Sequence, residues 1–118
     1  MKPSHDPLDP VFVALAHPAR RRMLDLLVQA PGCSVKWMAS HFDVSRIAVM
    51  KHLAVLEDAE LAISEKVGRT RRIHFNPVPI QQIYDRWTTQ YSSFWAERLA
   101  DVKGRVEARA RERKQKSA

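Results

Sequence analysis

The stretch SRIAVMKHLAVL at residues 45–56 constrains the fold most, because it reads as a capped helix with one apolar side and one free side. Ser45 stands at the cap, where its hydroxyl can accept a hydrogen bond from an early backbone N–H. At about 100° per residue, Val49, Leu53 and Leu56 share one side, and Ile47, Lys51 and Ala54 take the opposite one, with Met50 at the flank. Arg46 and Lys51 are left to reach outward. The helix is expected to run to about Ala59. Residues 61–66 and 71–76 then read as two strands, with Leu61/Ile63 and Ile73/Phe75 alternating inward around a turn at Gly68. Two short strands are marginal alone, so they must pack on the helices.

Upstream, Asp9-Pro10 predicts a helix start, with Asp9 capping and Pro10 at the first helical position. His17-Pro18 breaks the chain, and residues 19–29 form a second helix with Met23, Leu24, Leu26, Leu27 and Val28 mostly inward. Pro31-Gly32 ends it. Ser34 caps a short third helix that continues through Phe42. After Pro77 and Pro79 a long helical pattern begins. Its apolar residues, from Ile80, Ile83 and Trp87 to Leu99, Val102 and Val106, recur at spacings of three and four. The fold class is therefore mainly α: a winged helix-turn-helix of four helices and a two-stranded β wing, with a long C-terminal helix. The expected organisation is a flexible arm over 1–7, the domain over 8–102, and a basic tail over 103–118 that is partly helical or disordered.

A chain of 118 residues with 45% hydrophobic content holds one modest core. Its net charge of +7 favours a polyanionic partner, but from Lys103 onward seven Lys/Arg face only Glu107 and Glu112. The tail thus carries +5 and the remainder +2. The single cysteine, Cys33, excludes an internal disulfide and a multi-cysteine zinc module. No apolar run approaches a membrane span, and no secretory segment opens the chain, so a reduced, cytoplasmic protein without a membrane partner is expected.

Three pieces in order carry a family resemblance. They are Ala14-Leu15-Ala16-His17-Pro18-Ala19-Arg20-Arg21, then residues 45–56 with Lys51-His52-Leu53 at their centre, then Gly68-Arg69 with Arg71-Arg72. From about Leu8 to about Leu99 the chain resembles the ArsR-type winged-helix repressors of bacteria. The Phe94-Trp95-x-x-Arg98-Leu99 run resembles a branch lacking the metal motif. The resemblance implies a homodimeric transcriptional regulator, usually a repressor, that releases DNA on sensing a signal. Two departures stand out. The family often has Leu-x-x-Ala-Gly-Leu after the recognition helix, whereas this chain has Leu56-Glu57-Asp58-Ala59-Glu60-Leu61. A left-handed Glu60 would be strained by roughly 1–2 kcal/mol; otherwise the helix runs on. Ile47 and Met50 place apolar atoms where base edges would lie.

The expected partner is double-stranded DNA, read by the 45–58 helix and the 62–75 wing. Ser45 holds the helix N-terminus and offers it to a phosphate. Arg46 can fork onto guanine or hold a phosphate, Ile47 and Met50 can meet thymine methyl groups, and Lys51 reaches a phosphate. His52 lies at the edge of the inner side, open to packing or to a backbone contact. In the wing, Arg69, Thr70 and Arg71 flank the duplex, while Lys66 and Arg72 are open to solvation. Arg20-Arg21-Arg22 splay over most of a turn, between carboxylate pairing and phosphate contact; Lys36 is the better phosphate candidate.

The aromatic stripe exceeds what a small core can cover, and exposed stripes of that size mark interfaces. The expected homodimer interface is Val11, Phe12, Leu15, Ile83, Trp87, Tyr91, Phe94 and Trp95, against the alternative of a terminal helix closing its own core. A two-fold dimer sets its recognition helices roughly 34 Å apart and implies a pseudo-palindromic operator. No regulatory metal or other cofactor is expected: the third helix has no cysteine, the last has Asp85 but no histidine, and the five histidines are scattered. Cys33 is open to a redox role or a structural one. A small-molecule inducer, if any, is unnamed; an apolar ligand among Trp87, Tyr91, Phe94 and Trp95 competes with simple packing. No nucleophile–base pattern or phosphate loop points to an enzyme. The alternative function is a winged-helix protein–protein module with a basic docking tail.

Overall fold

A computed structural model describes residues 6–89 and 93–117. It falls into two compact units, Met1–Ile83 and Tyr84–Ala118. The first unit holds α1 (Asp9–Leu15), α2 (Pro18–Gln29), β1 (Cys33–Ser34), α3 (Val35–Ala39), α4 (Arg46–Asp58), β2 (Ala62–Val67) and β3 (Thr70–Phe75). Helix α5 (Val78–Thr88) begins in it, and α6 (Ser93–Lys116) lies in the second unit. This is the winged helix-turn-helix that the order of sequence signals implies. α3 and α4 form the helix-turn-helix, β2 and β3 the wing, and α6 is the long C-terminal helix.

Helix entry differs in detail. The cap of α1 falls on Leu8, which makes no side-chain cap bond, so Asp9 is an acid in the first turn rather than the cap. Asp6 instead accepts the Leu8 N–H at 2.9 Å through Oδ1. Pro18 forces His17 into extended backbone, and the freed His17 Nδ1 accepts from the Ala19 N–H at 3.1 Å, capping α2. Ser34 and Ser45 cap α3 and α4 as their sequence positions require. Helix α3 stops at Ala39, three residues short of Phe42.

Among the described residues the arginine triplet makes no ion pair with a carboxylate. Arg20 donates from Nε to the Ala14 carbonyl at 2.9 Å and from Nη2 to the Val13 carbonyl at 3.0 Å. Arg21 donates from Nη1 to Leu15 at 2.7 Å. The two close the orphan carbonyls at the end of α1, where a cation also meets the negative helix end. Arg22 lies over the Phe42 ring at 5.7 Å.

The core gathers Ala14, Met23, Leu27, Met38, Val49, Leu53, Leu56, Leu61 and Ile73, all 0–1% exposed, from both helices and wing. Val49, Leu53 and Leu56 do share the inner side of α4. The wing enters this core one residue out of the expected phase. Leu61 and Ala62 are buried but Ile63 is 52% exposed, so the Leu61/Ile63 alternation is corrected. The cause is the exit from α4. Glu60 adopts φ 61°, the left-handed region. The Leu61 N–H bonds the Leu56 carbonyl and the Glu60 N–H bonds the Glu57 carbonyl, each at 2.9 Å. This is a Schellman ending, with Leu61 packed on Leu56 as that motif prefers. Asn76 locks it by donating from Nδ2 to the Glu60 carbonyl at 2.8 Å. Glu60→Gly is expected to raise the unfolding free energy by about 1 kcal/mol, read from urea denaturation, because glycine carries no left-handed penalty. A loss of stability would contradict that reading.

The sheet has a third strand that the two-strand reading lacks, in the order β1-β3-β2, all antiparallel. Cys33 pairs with Ile73, and the Gly32 N–H reaches the Ile73 carbonyl at 2.9 Å. Gly32 has φ 77°, and a Cβ there would sit 3.2 Å from His74 Cε1, so this edge needs glycine. The single helical pattern expected from Ile80 to Val106 is carried by two helices. α5 ends at Thr88 and α6 starts at Ser93. Trp95, Leu99, Val102 and Val106 recur along α6 and are exposed. No helix among the described residues is long and apolar enough to cross a membrane.

Candidate nucleic-acid interface

Burial of Val49, Leu53 and Leu56 fixes how α4 rotates, and so fixes what it shows to solvent. Arg46, Ile47, Met50 and Lys51 are exposed, Ile47 at 68% and Met50 at 43%. Ser45 Oγ accepts the Ala48 N–H at 3.2 Å and holds the first turn. Behind it, Ser34 Oγ accepts the Trp37 N–H at 3.1 Å, which starts α3 and leaves Lys36 exposed. On the wing, Gly68 takes φ 62° at the first position of a two-residue loop between Val67 and Thr70, with Arg69 at its second.

These elements meet around one cleft of about 430 Å³, walled by Ser34, Val35, Lys36, Arg46, Met50, Arg69, Thr70 and Arg71. Six of the ten residues expected to touch DNA thus share a single concavity: Lys36, Arg46, Met50, Arg69, Thr70 and Arg71. The side chains of Lys36, Arg46, Lys51 and Arg69 have no ion pair or hydrogen bond among the described residues. Cations from α3, α4 and the wing tip therefore converge without internal neutralisation.

Two of the expected contacts are engaged elsewhere. Arg71 is not a free wing cation: its Nη2 donates to Glu57 Oε1 on α4, which also accepts from Ser64 Oγ at 2.5 Å. That ion pair ties the wing to the recognition helix. His52 is half-buried, with its ring 4.5 Å from the His17 ring and Nδ1 3.3 Å from Arg20 Nη1. A guanidinium can only donate, so His52 accepts and is neutral there. The ring thus packs between His17 and Arg20.

Burial lowers the His52 pKa below its ordinary value, and the charges of His17 and Arg20 add to the shift. The sign follows from the depressed folded value. The contribution of the neutral ring is full above the unfolded pKa of about 6.5 and is lost as pH falls through the lower folded one. Between about pH 7.5 and about pH 5 the urea midpoint should fall further for the native chain than for His52→Gln. Equal falls would contradict this assignment.

Of the residues expected at a dimer interface, Val11 is corrected: at 3% exposure it belongs to the protomer's own core. Leu15 and Ile83 are half-buried against that core, whereas Phe12, Trp87 and Trp95 are exposed. Tyr91 and the Phe94 side chain lie outside the described residues. Among the described residues no group of three His, Cys, Asp or Glu is placed to hold a metal. The Glu57–Arg71 tie escaped sequence reading, since partners 14 residues apart leave no periodic mark.

Comparison with known proteins follows the same lines. The profile of a helix-turn-helix domain family matches residues 15–65. The chain is 34% identical over 85 residues to the uncharacterized HTH-type transcriptional regulator YuzN of Bacillus subtilis (strain 168), covering 67% of this chain and 92% of that protein. It is 31% identical over 71 residues to the transcriptional repressor SdpR of the same strain, covering 60% and 78% of the two chains. Among solved structures, the ArsR-like transcriptional regulator from Rhodococcus sp. RHA1 is similar at a TM-score of 0.64 and 33% identity, over 83% of this chain and 91% of that one.

Proposed function

The chain belongs to the ArsR-type winged helix-turn-helix transcriptional regulators, and on that premise we propose that it is a homodimeric repressor of a pseudo-palindromic operator. The observation that carries the DNA-binding part is the convergence on one cleft of Lys36, Arg46 and Arg69, unpaired among the described residues, from three elements. Each has a distinct part. Arg46, at the first turn of α4, reaches base edges in the major groove, with Ile47 and Met50 against thymine methyls. Lys36, Lys51 and the Ser45-capped helix end hold phosphates and fix register. Arg69 and Thr70 contact the backbone beside the groove, while Arg71, held by Glu57, keeps the wing at the right height. Binding to DNA puts the protein in the bacterial cytoplasm, on the nucleoid.

Support for pairing comes from the exposed apolar residues Phe12, Trp87, Trp95 and Leu99. The relative named as a transcriptional repressor supports the direction of control. The arm over 1–7 and the basic tail beyond 102 are proposed as appendages to this reader, the tail adding non-specific attraction to phosphates. Selection of bound genomic fragments with purified full-length protein at physiological salt tests the whole reading. The expected result is an inverted repeat with half-sites about one helical turn apart. If no fragment is enriched over bulk DNA, the exposed face of α4 serves a protein partner instead.

A further inference from the structure

A second cleft, of about 380 Å³, adjoins the cationic one and shares Ser34 and Thr70 with it. Pro31, Cys33 and the half-buried Trp37 line it together with the exposed Arg72. None of its lining residues is acidic. Arg72 has no ion pair or hydrogen bond through its side chain among the described residues. Its cross-strand neighbour Glu65 is turned to His74, with Oε2 3.3 Å from Nε2. The cleft thus offers an apolar aromatic wall and one uncommitted guanidinium, within the size range of small-molecule sites.

We propose that this cleft binds a small aromatic carboxylate, with its ring against Trp37 and Pro31 and its carboxylate on Arg72, and that occupancy weakens DNA binding. A guanidinium takes a carboxylate through two parallel hydrogen bonds, and an indole supplies a large apolar surface for a ring. A bare phosphate fits less well, since it would exchange water for one cation and an apolar wall. Burial pushes the Cys33 thiol pKa up, so it adds no competing negative charge. The regulatory step follows from the two shared residues. Ser34 caps the helix that carries Lys36, and Thr70 adjoins the wing tip that carries Arg69. A ring wedged beside both changes the spacing of two cations that must meet phosphates together. This step rests on the DNA-binding reading; the ligand site does not.

The probe is 2-naphthoate, titrated into the full-length protein by NMR without DNA. Saturable shifts of the Trp37 indole and Cys33 amide signals are expected. Arg72→Gln, or the neutral 2-naphthamide in place of the acid, should weaken binding about tenfold or more. Arg72 is exposed, so that variant keeps its fold. Unshifted signals, or equal binding of the amide, would overturn the site. In a separate titration on a selected DNA fragment, saturating naphthoate should lower affinity for the native chain and not for Arg72→Gln. Ligand binding with unchanged DNA affinity would overturn the regulatory step. A protein that binds no fragment at all, yet binds naphthoate through Arg72, would sink the DNA reading and leave the site standing.

Discussion

Replacing Arg46 with alanine is expected to cost about 1–3 kcal/mol on the operator, roughly 5- to 150-fold in affinity, and to relax preference at one base position. Val49, Leu53 and Leu56 fix α4 to the core, and Arg46, the first residue of that helix, stays exposed at its end beside Lys36 and Arg69. Its guanidinium has no internal partner among the described residues, so the variant leaves no buried charge stranded. The loss should therefore appear in binding and not in folding. Lys51→Ala is the matched control, weakening operator and random duplex alike and reducing the salt slope by about 1. Equal loss on both duplexes for Arg46→Ala would make Arg46 a phosphate contact, and sequence reading would pass to Ile47 and Met50.

The largest stability effect is expected at Leu53, at 0% exposure on the inner side of α4. Leu53→Ala removes side-chain carbons from a core shared with Met23, Leu27 and Met38, and should cost about 2–5 kcal/mol. For a domain of this size each kcal/mol lowers the melting temperature by about 4–8 °C. Arg46 and Met50 are exposed in the first turns of the same helix, and neither is among the buried residues of that core. The fraction that remains folded at low temperature should then keep the native base preference. A melting temperature within about 2 °C of the native one would mean that α4 is not held by this core.

What was legible in the chain follows from how local each interaction is. Ser45 and its apolar residues at 49, 53 and 56 lie within a few turns of one another, so cap, helix and inner face could be read together. The exit at Glu60 was legible only as two alternatives, a left-handed turn or a helix that runs on, because a glutamate stands where glycine is preferred; φ 61° selects the first. Carbonyl acceptors carry no sequence mark, so Arg20 and Arg21 looked like candidates for carboxylates or phosphates when they close α1. The two-residue strand at Cys33 exists only because Ile73 is brought beside it. Val11 shows a deeper limit. Apolar periodicity says that a side must be covered, and not whether the protomer's own core or a second chain covers it. The same ambiguity hid the break after Thr88, because the apolar spacing continues through residues 87, 91 and 95 without interruption.

The central claim is that the cationic cleft and the face of α4 read sequence, and the ratio of two affinities tests it most directly. Purified protein is titrated on a selected genomic fragment and on a scrambled duplex of the same length and composition, at one physiological salt concentration. A preference of about 10³ or more for the selected fragment is expected, falling most at one base position when Arg46 is removed. Equal affinity for the two duplexes, falling together as salt rises, would contradict it and leave only non-specific attraction between a basic chain and phosphates.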